Sequence, residues 1–478
     1  MRLIESTTDP QQVSFLQQVS RWPLALRALH QHISSCFARP QPRQHALLYL
    51  QAILSDLPRK NGWQIAEHAR EAHPYGIQRL LSQAVWDQDA VRDALRSALV
   101  QTLLPASSPS PAPDALFPLL VLDESGFPKR GCHSAGVAPQ YCGVHGRVEN
   151  CQVGVFLCLV TALGHGLIDR ELYLPQQWCQ DAARCRKAHI PDAVGFQTKP
   201  QLALRMLQRA QQAGLSIQWV VADTVYGHST PLRLWLEQQD YSYALAVPSI
   251  EVVGVQTPHG PLLADVGTIQ QQALRPADWQ RLSQGLGTKG ERLFDWAILP
   301  VLHQGHVDER HFLLFRRCLD DPSQVCFSLV FARPATPLPL IVRAMGGRWH
   351  IEEDLQASKD LGLDHYEVRS YHGWYRHITL VLLAAAFLLA LCVQDQPPAP
   401  APAVPPLLAS AAPPRIALTR SEAQHLLAHL FWPPPTSVAL LCHWSQWRRT
   451  HQYGARFYHR RRRAHAPRGI GPPASAPG

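Results

Sequence analysis

The 478-residue chain is poor in charge, with Asp, Glu, Lys and Arg making up 17% of it. Wholesale disorder needs low hydrophobicity and high net charge. Here 46% of residues are hydrophobic, with 13 Trp, 12 Tyr and 14 Phe, so most of the chain is expected to fold. No stretch reaches the roughly 18 to 20 apolar residues that cross a bilayer. The nearest, Ile378 to Val393, has 16 and continues a helical pattern upstream, which predicts a buried core helix. No signal peptide precedes the eleven Cys, which are odd in number and spread over the whole chain. This predicts a reducing cytoplasm rather than a disulfide framework. Paired Cys-x2-Cys spacing is also missing, so Cys132-His133 with Cys142 and His145 does not amount to a zinc motif. No internal repeat is found.

What the chain has in excess is proline, 41 in all, and much of it is clustered. Residues 105–115 and 396–416 are rich in Pro, Ala and Ser, cannot continue a helix or a strand ladder, and read as linkers. They cut the chain into an amino-terminal part (1–104), a middle part (116–395) and a carboxy-terminal part (417–478), a division that suits the length. The net charge of +9 is concentrated in the last of these. Leu441 to Gly478 holds eight Arg and no Lys, Asp or Glu, so it carries +8. Such a run invites a polyanion, most often nucleic acid, through phosphate contacts and counterion release. A solvated tail is the plainer alternative.

The amino-terminal part reads as helical. Trp63, Ile65, Ala66 and Ala69 recur at helical spacing, the chain breaks at His73-Pro74-Tyr75-Gly76, and a second amphipathic run follows from Ile77 to Ala84. Two short helices about a tight turn suit a DNA-reading helix-turn-helix, and ordinary helical packing gives the same pattern. The middle part alternates in period. Apolar runs at 116–123, 152–162 and 166–175 predict three strands, 199–214 a helix, 216–223 a strand, 231–240 a helix and 241–248 a last strand. The order β-β-β-α-β-α-β describes an α/β domain of the ribonuclease H-like kind.

Two carboxylates fall at matching places, Asp123 after the first strand run and Asp223 after the fourth, where α/β sheets build their sites. Either could simply cap a turn. A third candidate lies on a predicted helix around RWHIEEDLQASKD. At about 100° per residue Arg348, Glu352 and Lys359 project within roughly 40° of one another, while Glu353 points some 100° from Glu352. That face carries cation, anion and cation, which could be no more than surface ion pairs worth about 0.3 to 0.5 kcal/mol each. The flanking Ile351 and Leu355 argue for partial burial, where charges are costly unless they serve a site.

Arg348, Glu352 and Lys359 also match, by spacing, the last three members of the signature Y-(2)-R-(3)-E-(6)-K. With the blocks VLDESGFPKRG, VADTVYG, RLSQGLGTKGERLFDWA, LGLDHYEVRSYHGWYRHITL and HWSQWRRTHQYGARFYHRRRR, the chain resembles the DDE-type transposases of bacterial insertion sequences over nearly its whole length. Met345 stands where that signature has tyrosine, which leaves open the contact that ring makes to the DNA end and whether the second strand passes through a hairpin.

The resemblance implies a ribonuclease H-like (retroviral-integrase-like) catalytic domain with an insertion at about 250–336, and a helical amino-terminal DNA-binding domain. It implies two Mg²⁺ or Mn²⁺ ions, with Asp123 as the shared ligand and Asp223 and Glu352 as one further ligand each. Hard carboxylate oxygens suit such ions, and phosphodiester chemistry needs two of them. Arg348 and Lys359 would hold phosphates flanking the scissile bond. Lys289, Arg292 and Trp296 of the insertion could grip end DNA, and Arg448, Arg449, Arg460, Arg461, Arg462 and Arg463 of the tail could hold the DNA backbone. The implied protein is a cytoplasmic, nucleoid-associated transposase. It would bind the inverted-repeat ends of its element as at least a dimer, cut double-stranded DNA and join the 3′ ends to a target, without a membrane partner. A non-cleaving DNA-binding regulator is the alternative, although it would have no reason to keep Asp123, Asp223 and Glu352. A carboxylate-pair glycosidase would leave the Arg-rich tail unexplained.

Overall fold

A computed structural model describes residues 10–105, 116–257, 260–287, 290–303, 305–395, 416–433 and 437–465. Nearly all of both Pro-rich segments, Lys289, and the side chains of Arg462 and Arg463 lie outside the described residues.

Six helices come first: α1 (Pro10–Ser20), α2 (Trp22–His32), α3 (Pro40–Ile53), α4 (Gly62–His68), α5 (Tyr75–Ser82) and α6 (Gln88–Leu103). Local chemistry starts two of them sharply. The Asn61 side chain accepts from the Trp63 and Gln64 amides, and Asp87 does the same for Asp89 and Ala90, satisfying donors that a helix start leaves orphaned. The helices predicted about His73-Pro74 are α4 and α5.

The next segment builds a mixed sheet from β1 (Leu119–Pro128), β2 (Ala138–Cys142), β3 (Arg147–Thr161) and β4 (Gly164–Tyr173). Short helices α7 (Gln176–Cys179) and α8 (Ala182–Lys187) lead to α9 (Lys199–Gln212), which opens on a capping box between Thr198 and Gln201. Then follow β5 (Trp219–Ala222), α10 (Thr224–Gly227), α11 (Thr230–Gln238) and β6 (Ser242–Val247). Residues 250–336 add β7 (Val252–Thr257), β8 (Gly260–Asp265), α12 (Val266–Ala273), β9 (Gln280–Gly287), β10 (Gly290–His303), β11 (His306–Arg317) and β12 (Val325–Phe331). The chain closes with α13 (Leu338–Gly346), α14 (Trp349–Asp360), α15 (Tyr371–Gln394), α16 (Arg420–Leu430) and α17 (Val438–His465).

The strands run β2-β3-β1-β5-β6-β12-β11-β10-β7-β8, with β4 also on β3 and β9 on β10. β1, β5 and β6 pair in parallel, whereas β3 is antiparallel to both β1 and β4. The 250–336 segment is therefore continuous with the sheet, because β12 pairs with β6. Two sequence expectations need correction here. The first strand starts at Leu119 and runs on to Pro128, so Asp123 does not end it. Pairing with β3 persists along the whole strand, and what stops at Leu122 is the pairing with β5. The unpredicted β2 forms a hairpin with the start of β3.

α15 is the expected apolar helix. It is long and apolar enough to span a membrane by length and composition, yet 78% of its most apolar window is buried inside the protein. It packs against α6, β4, α3, α5 and α16. Each buried leucine on it, Leu380 and Leu383 among them, contributes roughly 1.5 to 3 kcal/mol of transfer free energy. Arg170 of β4 is fully buried beside it, donating to Thr379 of α15 and Asp89 of α6. One continuous core thus includes the amino-terminal helices and the sheet.

Candidate active site

Asp123 and Asp223 come together because β1 and β5 are parallel and in register. Leu122 faces Ala222 in the last pair of that ladder, so the two aspartates are the next residues on neighbouring strands. Asp223 also caps α10, its carboxylate accepting from the Val225 amide at 3.0 Å. Asp123 accepts from the Glu124 amide at 2.8 Å. Beyond Leu122 the edge of β1 is open, and there Glu124 joins them. The ligand oxygens of Asp123, Glu124 and Asp223 lie within 4.8 Å of one another.

Glu124 is the site residue that the sequence analysis missed, although it stands in the block VLDESG that carried the resemblance. Strand alternation would send it to the opposite face from Asp123. It is held by Lys199 at the start of α9, and it accepts a 2.8 Å hydrogen bond from the buried Tyr226 hydroxyl of α10. Two further blocks of sequence therefore converge on one carboxylate.

The electrostatics are those of crowded like charges. Burial pushes the Asp123 carboxyl up to about 7, the Asp223 and Glu124 carboxylates push the same way, and Arg348 opposes them. Burial, then Glu124, likewise raises Asp223, against Arg348 and Lys199. Burial lowers the Lys359 ammonium, which feels Asp364, Cys142 and Asp123.

α14 brings the remaining candidates to β1. Arg348 immediately precedes it and donates to Glu352 at 2.9 Å, while facing the two aspartates. Glu352 is thus tied to the site through Arg348 and is not among the three converging carboxylates. Glu353 points elsewhere, to His350 at 3.0 Å and His165 at 3.5 Å. The close approach of α13 and α14 to the sheet depends on Gly346 and Gly347. A Cβ at Gly346 would lie 2.0 Å from the Gln284 carbonyl oxygen, and one at Gly347 2.0 Å from Leu119 Cδ2. Met345, in the tyrosine slot, is buried.

The other predicted contacts are dispersed. Arg292 donates to the Gly346 carbonyl at 3.2 Å and lies over the Trp349 ring. Trp296 is fully buried, which corrects the expectation that it grips DNA. The arginines expected to hold DNA together do not share one environment. Arg448 pairs with Glu67 of α4 at 2.5 Å, whereas Arg449, Arg456, Arg460 and Arg461 are exposed along α17. α17 is anchored on the amino-terminal helices rather than trailing. Trp444 is fully buried and donates to the Glu71 carbonyl, and Trp447 meets the Trp63 ring edge-on.

The donor set fits hard divalent ions: three carboxylates share a small volume with too few cations around them. A family model described as DDE superfamily endonuclease matches residues 32–292, more than half of the chain and a span that includes Asp123, Glu124 and Asp223. The chain is also 25% identical over 206 residues to a protein of Microchaete diplosiphon described as "Probable transposase for insertion sequence element IS701". That alignment covers 42% of this chain and 48% of the relative, so the chain spans about half of its length. Carboxylates gathered where the parallel β1–β5 ladder stops and a family match over the same strands lead to one conclusion: the chain belongs to the DDE superfamily endonucleases.

Proposed function

We propose that the protein is a DNA transposase. It would bind the inverted-repeat ends of an insertion sequence, cut the strands and transfer the 3′ ends to a target. The observation that carries this reading is the meeting of Asp123, Glu124 and Asp223 beyond the parallel β1–β5 ladder, with Arg348 and Lys359 near them and Glu352 held by Arg348. The order β4-β3-β1-β5-β6, with β3 alone antiparallel, supports a ribonuclease H-like catalytic core in which residues 250–336 are an insertion.

In this reading Asp123, Asp223 and Glu352 are the ligands of two divalent ions, Mg²⁺ or Mn²⁺, and Asp123 serves both. Such ions activate the attacking water or 3′-hydroxyl and stabilise the leaving oxygen. Glu124, paired with Lys199 and accepting from the Tyr226 hydroxyl, is a positioning residue that holds β1, α9 and α10 together. Arg348 now supplies the positive charge between the carboxylates, and with Lys359 it orients the flanking phosphates.

End recognition falls to the amino-terminal helices, where Tyr75, Gln78, Arg79 and Ser82 form the exposed face of α5. The exposed arginines of α17, Arg460 and Arg461 among them, add sequence-independent phosphate contacts. Each end needs one active site, so the active species on DNA is at least a dimer. This work is done on the chromosome, in the bacterial cytoplasm.

The deciding experiment incubates the full chain with an end-containing duplex, with Mg²⁺ and with EDTA. Metal-dependent nicking at the element end is expected. Glu352→Gln, Asp123→Asn and Asp223→Asn should abolish it while end binding survives, and Glu353→Gln should retain it. If all four variants nick like the parent, the carboxylate site is not the catalytic one.

A further inference from the structure

Two groups of metal-ligating side chains lie outside the carboxylate site among the described residues. One is His165, His350 and Glu353 beside α14. Its rings stack on each other, and His165 is also engaged with Asp354 at 3.1 Å, so it braces the helix. The other is at the tip of the β2–β3 hairpin, where Cys142, His145 and Glu149 place ligand atoms within 4.8 Å of one another.

The hairpin explains this convergence. Cys142 pairs with Arg147 in the last rung before the turn, and His145 sits in the turn with its amide donating to the Cys142 carbonyl at 3.1 Å. Glu149 and Cys151 are two residues apart on β3, so their side chains leave the same face of the strand. The contacts form a chain: the His145 ring meets Glu149 at 2.5 Å, the Cys142 thiol donates to Glu149, and Cys142 packs on Cys151, whose own thiol donates to the Gln140 carbonyl at 3.8 Å. Both cysteines are fully buried, whereas Glu149 and His145 close the cluster on the solvent side. Cys142 lies against β1, since a Cβ on Gly126 would stand 2.5 Å from its sulfur.

We propose that Cys142, His145, Glu149 and Cys151 bind one structural zinc ion. Cys142, His145 and Glu149 already converge, and Cys151, packed against Cys142, would supply the fourth ligand; two sulfurs, one imidazole nitrogen and one carboxylate oxygen would then close the set, and thiolates select zinc over the magnesium of a phosphate site. Binding sends the two thiol protons to solvent, so the site fills more readily as pH rises. Burial holds both thiols protonated in the metal-free protein, that of Cys151 at about 12. The sequence alone dismissed zinc because Cys132 and His133 supplied no paired spacing. In the fold these two residues are exposed and Cys151 takes their place, reached across the hairpin. Zinc here would fix the hairpin over β1 three residues from Asp123. It would also hold the surroundings of Lys359, which senses both Cys142 and Asp123.

The test is metal analysis of the full chain purified without chelators. About one zinc per chain is expected, as for a closed four-ligand site. Cys142→Ser and Cys151→Ser should lose it, and Asp123→Asn should keep it. Should the cysteine variants fail to fold, His145→Ala in the turn provides the second measurement. It should keep the parent's circular dichroism and bind zinc at least about tenfold more weakly in competition with a chromophoric chelator, since losing even an outer-shell partner of a metal typically costs roughly ten- to a hundredfold. Cobalt loading should give thiolate-to-metal absorption. The proposal is overturned if the parent binds neither zinc nor cobalt in this way, or if zinc survives removal of both cysteines. It is equally overturned if zinc leaves with Asp123→Asn, or if thiol titration shows Cys142 and Cys151 joined as a disulfide.

Discussion

Asp354 sits two residues after Glu352 on α14 and is 1% exposed. Its carboxylate is surrounded by donors: Arg420 at the start of α16, His165 at 3.1 Å and the Cys158 thiol at 3.0 Å. Burial by itself would raise its pKa, but Arg420, then His165 and Cys158, overcome that and hold the carboxyl far below the usual carboxylate range. Replacing Arg420 with Met strands this charge in the interior, and breaking a buried pair on one side costs about 3 to 5 kcal/mol. The double variant Asp354→Asn/Arg420→Met removes both charges and should recover most of that deficit. The pH dependence has a definite sign. A depressed carboxyl pKa contributes stability that is present above the unfolded value, near 3.8, and is lost as pH falls through the folded value. In Arg420→Met burial raises the same carboxyl, so the parent's advantage should be largest at high pH and shrink as pH falls, first through the variant's raised value and then towards the parent's depressed one. Urea unfolding of parent, single and double variants at pH 7 and pH 4 measures this. Because α14 carries Glu352, Arg420→Met should also slow end cleavage. Equal destabilisation of the single and double variants, or a pH-independent difference, would refute the account of Asp354 as a charge neutralised by Arg420.

Three further outcomes follow from the geometry. Gly346→Ala drives a methyl into the Gln284 carbonyl and should destabilise by about 1 to 3 kcal/mol or more, with loss of cleavage, as read by thermal unfolding and nicking. With the Asp123 carboxyl near 7, about a tenth of it is ionised at pH 6 and about nine tenths at pH 8, so isothermal titration should show Mg²⁺ affinity rising roughly tenfold over that range; a flat profile would show that Asp123 is not a ligand. Deleting the residues after Trp447 should flatten the slope of log K against log salt for random DNA by about 0.9 for each phosphate no longer neutralised, several units in all, and an unchanged slope would remove α17 from the DNA interface.

Composition and periodicity by themselves determined that the chain folds, that its apolar 378–393 stretch is a core helix, and that strands and helices alternate through the middle part. They also placed Asp123 and Asp223 at matching positions and set Glu352 with Arg348 on a face that excludes Glu353. These are local properties, carried by the two- and 3.6-residue periods and by turn residues. What only the tertiary structure decided depends on contacts between segments far apart in the chain. The pairing of Leu122 with Ala222 brings the two aspartates side by side, and the end of that ladder lets Glu124 reach them against strand alternation. Asp354 sits among acidic neighbours in sequence, and only packing against Arg420, 66 residues on, makes it a buried charge. Trp296 reads with Lys289 and Arg292 as a DNA contact, yet it is buried within the sheet that continues from β6. Arg448 belongs to a basic run, but its α17 register sets it on Glu67 while Arg449 and Arg461 stay exposed. Each outcome depends on which surface a second segment covers, and a one-dimensional pattern does not encode that partner.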